Sequence, residues 1–215
     1  MNFNKINTLI AIFFITFSIP TIAEHNNGTM ITPEIYGVKL MEIDFCQTAS
    51  CENAVKVGGG KRIDIANIAL WADEGGTLVD LQNAPLLADT AYTHIRFLVD
   101  AQFLVKASQP GSCYTTPNKI EINFAEGTTN SNYYGEQVLW LDTSILEGDP
   151  QFSDITSTSF KYTHPLTGTY TKGKGQSIRW SVDASNTIEF GSLNSDEETC
   201  DIGVDGPELV FTVLN

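Results

Sequence analysis

Hydrophobic and polar residues alternate with a period of two along much of this chain. In "KIEINF", Ile120, Ile122 and Phe124 alternate with Lys119, Glu121 and Asn123. In "SIRWSV", Ile178, Trp180 and Val182 alternate with Ser177, Arg179 and Ser181, and "ELVFTVL" repeats the pattern with Leu209, Phe211 and Val213. One apolar face per segment predicts strands packed on one side and wet on the other. The longest run is "YTHIRFLVDAQFLVKA". It puts Thr93, Ile95, Phe97, Val99, Ala101, Phe103 and Val105 on one face and Tyr92, His94, Arg96, Leu98, Asp100, Gln102 and Leu104 on the other. That is one long strand, or two with a corner near Asp100. The second face reads as a polar solvent face. In "YGVKLMEIDF" the apolar phase shifts from Val38 and Leu40 to Met41, Ile43 and Phe45, which predicts a bulge or bend. Further strands are expected in "AVKV", "RIDIANIAL", "EQVLWLD", "SFKYTH" and "TIEFGSL".

Turn-forming clusters separate these runs: "VGGGK", "DEGG", "QPGS", "EGTTNSN", "EGDP", "HPLTG", "KGKGQ" and "VDGP". No segment sustains a 3.6-residue apolar repeat, and the helix-leaning pieces "NIALWADE" and "NAPLLADT" are short. Closely spaced strands with Gly and Pro between them imply an antiparallel sandwich or barrel.

The first residues change the picture of where this fold works. "MNFNKINTLIAIFFITFSIPTIAE" has a polar start with Lys5, an apolar run from Leu9 to Ile19, Pro20, and the small Ala23 before Glu24. This is the pattern of a signal peptide over residues 1–23, its core too short to span a bilayer stably. Residues 24–33 read as a flexible lead-in and 34–215 as a single sandwich domain. No later segment has the apolar length of a membrane helix. Export is therefore expected, to the periplasm or the exterior of a bacterium. The formal charge of −14 becomes about −15 when Lys5 leaves with the signal. Such acidity argues against nucleic acid and anionic membrane surfaces as partners.

Export also decides how the cysteines are read. Cys46, Cys51, Cys113 and Cys200 in an exported chain point to disulfides. Zinc would call for a second close pair or nearby histidines, and "CQTASC" is not the C-x-x-C of a thiol oxidoreductase. Three pairings are open. The preferred one closes Cys46–Cys51 into a small turn after a strand and leaves Cys113–Cys200 to staple distant parts of the fold.

The order "YGVKL…C…C…VGGGKRIDIA…VDLQNAPLLADTAYTHIRFLVDAQFLV", about residues 36–105, resembles small exported bacterial proteins of unknown function. It is also similar to secreted bacterial β-sandwich domains carrying a V-D-L segment and a Y-x-x-I-R-x-x-V strand. The resemblance implies an immunoglobulin-like or transthyretin-like sandwich in the cell envelope or outside the cell, and it brings no catalytic residue.

The motifs of serine hydrolases, P-loops, dinucleotide-binding folds and zinc peptidases are missing, so the chain reads as non-enzymatic. No cofactor is expected, with calcium as the exception to consider. Asp196, Glu197, Glu198, Asp201 and Asp205 in "NSDEETCDIGVDGPE" could supply oxygen ligands to calcium, although the spacing is not an EF-hand's. A solvated acidic loop is the plainer reading. Trp71, Trp140 and Trp180 could stack sugars, but Trp140 and Trp180 fall in alternating strands and so read as core. Tyr133 and Tyr134, in the loop "TTNSNYYGEQ", are the candidate binding tip. The expected role is binding or surface assembly, with a protein or surface glycan as partner. The alternatives are a carbohydrate-binding module with a planar row of exposed aromatics, and a hydrolase with facing carboxylates.

Overall fold

The computed structural model describes residues 28–67, 79–117, 120–122, 125–194 and 199–215. In chain order its strands are β1 (Thr29–Ile31), β2 (Ile35–Cys46), β3 (Val55–Gly58), β4 (Lys61–Asp64), β5 (Ala91–Lys106), β6 (Ser108–Gln109), β7 (Cys113–Tyr114) and β8 (Ile120–Ile122). There follow β9 (Ala125–Thr128), β10 (Gln137–Trp140), β11 (Phe152–Thr156), β12 (Ser159–Thr171), β13 (Ser177–Asp183), β14 (Ile188–Asn194), β15 (Thr199–Val204) and β16 (Glu208–Leu214). Single 3-10 turns stand at Ile65–Asn67, Ser131–Tyr133 and Thr143–Leu146. Among the described residues no helix is long and apolar enough to cross a membrane.

Six strands pair in the order β1-β14-β15-β9-β7-β6. Ten form the second sheet along β13-β16-β12-β5-β10-β8, with β2, β3, β4 and β11 attached. The chain is an all-β, disulfide-stapled sandwich, as the alternation implies. Its strand pairs are antiparallel except β10 with β8 and β12 with β16, which are parallel. Both exceptions follow a change of sheet. The chain leaves β8 for β9 in the six-stranded sheet, then returns as β10 running the same way, and a parallel neighbour needs such a crossover.

The long run is one strand, β5, without a corner, and its predicted inner face is the buried one at Ile95, Phe97, Val99, Ala101 and Val105. The phase shift in β2 is a real irregularity. Its register against β5 slips between Val38 and Leu40 and again between Leu40 and Glu42. Inward positions therefore pass from Tyr36, Val38 and Leu40 to Ile43 and Phe45. The β3–β4 turn supports the slip, because the Gly60 N–H donates to the carbonyls of Leu40 (2.8 Å) and Met41 (3.2 Å). Gly59 has φ +131°, and a Cβ there would stand 2.4 Å from the Met41 carbonyl oxygen.

Three expectations are corrected. "HPLTG" is not a loop but part of β12. Its register against β5 slips between Pro165 and Tyr170, while Leu166 and Thr167 pair with β16 on the other side. Pro165 lacks an N–H, which suits a position where the ladder breaks. Residues 29–31, read as part of the lead-in, form β1 against Ile188–Phe190 of β14; the rest of the signal and lead-in through residue 27 lies outside the described residues. The outer face of β5 is not an open polar face either. Asp44 lies opposite Arg96, and the side chains keep only 5% and 14% exposure with Nη2 2.7 Å from Oδ2. Arg96 also donates to the Cys51 carbonyl at 3.5 Å, which ties the disulfide turn to β5.

Both expected disulfides are present, Cys46–Cys51 and Cys113–Cys200. The first closes the turn after β2, with Cys51 in the left-handed region at φ 54°. The second joins β7 to β15 within the six-stranded sheet and runs against the backbone of Gly127 in β9. A Cβ on Gly127 would lie 2.8 Å and 2.9 Å from the two sulfurs, so only glycine leaves the bridge room.

Candidate functional site

The inner faces of the two sheets do not close completely. Between them lies a cavity of about 120 Å³. Its floor is the ten-stranded sheet, where Tyr36 and Val38 of β2 stand beside Phe97, Val99 and Phe103 of β5. Ile202 and Val204 of β15, with the turn at Gly206 and Pro207, line it from the other sheet, and Tyr162 beside Phe97, Phe152 beside Tyr162, and Leu146 also line it. The same alternation that makes the strands places these side chains inward, and the β2 bulge sets which of its residues do so.

Trp140 at the end of β10 and Trp180 in β13 complete the wall. The Trp180 ring lies near-parallel to Phe97 (centroids 6.1 Å, 24°) and to Phe211 (5.5 Å, 23°), which are themselves 5.3 Å apart, so the three rings form one cluster. The Trp140 and Trp180 indole N–H groups are buried without a hydrogen-bond partner. The Tyr36 hydroxyl, in contrast, donates to the Asp205 carbonyl at 3.2 Å. Burial pushes the Tyr36 and Tyr162 hydroxyls well above the usual tyrosine range, so both stay neutral. Among the described residues no charged side chain lines the cavity. Such a space can hold an uncharged apolar body.

The other sequence candidates lie elsewhere. Tyr133 is 62% exposed on its 3-10 turn. Tyr134 beside it is committed to the fold: its hydroxyl donates to the Glu34 carboxylate, its ring meets Tyr114 edge-on at 5.8 Å, and the Lys106 ammonium sits 4.7 Å above it. Burial, then the hydrogen bond to Glu34, raises its pKa to about 12. The pair proposed as one binding tip is thus split. Of the calcium candidates, Asp196, Glu197 and Glu198 lie outside the described residues, as does Trp71. Asp201 sits in β15 opposite Glu126, and the backbone of Asp205 bonds Thr187 and Tyr36. Among the described residues no group of three His, Cys, Asp or Glu side chains could hold a metal ion.

Tyr133 is also the one exposed aromatic among the described residues, so they form no planar outer row for sugar stacking. The aromatic residues have turned inward instead. Trp180 is half-buried against the core, near its reading as core, whereas Trp140 is half-buried and not part of the core; strand periodicity could not reveal that both border a space. No protein-family model, curated protein or solved structure matches this chain.

Proposed function

We propose that this chain is an exported, non-enzymatic binding protein whose ligand is a small apolar molecule held between its two sheets. The carrying observation is the aromatic cavity, which joins an apolar lining to a few polar groups as small-molecule sites do. The signal-like residues 1–23 and the pairing of all four cysteines support export to an oxidising compartment. N-terminal sequencing of the mature protein is expected to begin at Glu24, and an intact Met1 would remove the export reading.

Thermal unfolding of the oxidised protein with increasing toluene tests the binding role. A ligand that binds only the native state raises Tm by mass action, about 3–5 °C at ten times Kd for a domain of this size. The rise is expected to saturate in the wild type and to vanish in Val204→Phe, whose ring occupies the cavity. A wild type that does not respond would overturn the reading. A protein or surface-glycan partner would be met at the exposed Tyr133, so Tyr133→Ala should weaken that contact and leave the toluene response unchanged.

A further inference from the structure

A sheet edge offers unpaired backbone groups to any strand that can reach them, and proteins commonly shorten, bulge or charge such edges. Most edges of this molecule are blunted. β1 and β6 end the six-stranded sheet with three and two residues. In the ten-stranded sheet β3, β4 and β8 have four residues or fewer, and β11 breaks register between Ser153 and Thr156. β13 differs. It ends the main path of that sheet and runs seven residues, "SIRWSVD", in unbroken register with β16. It holds no proline, glycine or lysine. Among the described residues no strand other than β16 pairs with it.

The side chains of β13 indicate which strand fits beside it. Ile178, Trp180 and Val182 pack against the core and stay partly exposed, while Ser177, Arg179, Ser181 and Asp183 are exposed on the other face. Among the described residues Arg179 makes no ion pair. Asp183 lies opposite Glu208 of β16, and like charges placed so repel each other. The Asp183 carboxylate accepts only the Ser185 N–H, and that bond keeps it ionised by lowering its pKa.

A second β13 laid antiparallel about a two-fold axis at Ser181 answers these features together. Ser181 then meets Ser181, Trp180 meets Val182 twice, and Arg179 meets Asp183 twice. Opposite charges pair on the outer face and apolar residues pair on the inner one. An axis at Trp180 would set Arg179 against Ser181 and form no charge pair. An axis at Arg179 would set two arginines against each other. We propose that β13 is a self-association edge, where two copies of this chain join antiparallel at Ser181 into one continuous sheet. The same patch serves both copies, as a closed two-fold dimer requires. One strand pair is a small contact, and the chain is acidic with a formal charge of −14, so the dimer is concentration-dependent rather than obligate.

Sedimentation equilibrium of the oxidised protein tests this. The wild type should pass from monomer to dimer as its concentration rises. Arg179→Asp and Asp183→Arg should each weaken association at least about tenfold, because two attractive pairs become repulsive. Mixed together, the two variants should associate again, since each supplies the charge the other lacks. A wild type still monomeric at about 1 mM would overturn the proposal. So would a dimer that neither variant weakens, or variants that do not recover on mixing. Hydrogen exchange of the wild type decides the matter even if a variant does not fold. Backbone amides within residues 177–183 should gain protection on concentration. Full protection already at high dilution would mean that the chain covers this edge itself, and a gain confined to other strands would put the contact elsewhere; either result overturns the proposal.

Discussion

His164 stands at the contact between β12 and β16, its ring 5.2 Å from Phe211 and 5.9 Å from Tyr162. Burial holds its pKa below the ordinary histidine value, against the pull of the Pro165 and Leu209 backbones, and neighbouring His94 adds slightly to the lowering. His94 is lowered by burial as well. With folded pKa values below an unfolded value near 6.5, the folded chain binds fewer protons than the unfolded chain between those values. Stability is then fully present above about pH 6.5 and is lost as the pH falls below it. Glu34, Glu42 and Asp154 are held low first by hydrogen bonds from Tyr134, Lys56 and Lys161. Their contributions persist until the pH falls below about 4.5, a separate window. Melting temperatures from pH 7.5 to 5.5 should fall in the wild type and much less in the double variant His94→Gln with His164→Gln. A slope unchanged in the variant would contradict the assignment to these histidines.

At the scale of the element, β5 was legible from Ile95 onward, where burial follows the alternation, but Tyr92 on the predicted outer face is fully buried and Thr93 on the inner face is not. The β2 bulge was legible for the opposite reason: a register slip turns the other set of side chains inward, and the apolar pattern records it. "HPLTG" misled because Pro and Gly usually end a strand, whereas here they sit where β12 breaks register with β5. The Asp44–Arg96 pair was hidden because it depends on which residues face each other across two strands. The cavity was hidden for a related reason: alternation says which side chains point inward but not how completely facing layers fill the space. Gly59 tests the bulge. A methyl group there would strain a φ of +131° and meet the Met41 carbonyl at 2.4 Å. Gly59→Ala should therefore cost about 1–3 kcal/mol in chemical denaturation, while Gly60→Ala, with open space around its Cβ position, should cost less. Equal losses would mean that the bulge contact is not what demands glycine.

The whole molecule is held by two sheets and two staples of unequal reach. In the chain-entropy account, a loop closed over 87 positions is worth about 4–5 kcal/mol, and one closed over 5 positions about 2 kcal/mol. Cys113–Cys200 also joins β7 to β15, a strand that lines the cavity. Cys113→Ser with Cys200→Ser should accordingly destabilise the protein about twice as much as Cys46→Ser with Cys51→Ser, and should weaken toluene binding as well. Equal losses from the two pairs would refute the ranking. The central claim is that the sandwich keeps an accessible apolar space between its sheets. Xenon enters dry apolar cavities, so diffraction from crystals under xenon pressure tests that claim most directly. A xenon peak is expected between Phe97 and Val99 on one side and Ile202 and Val204 on the other, absent in Val204→Phe. Side chains of the two sheets in full contact there, with no xenon between them, would contradict it.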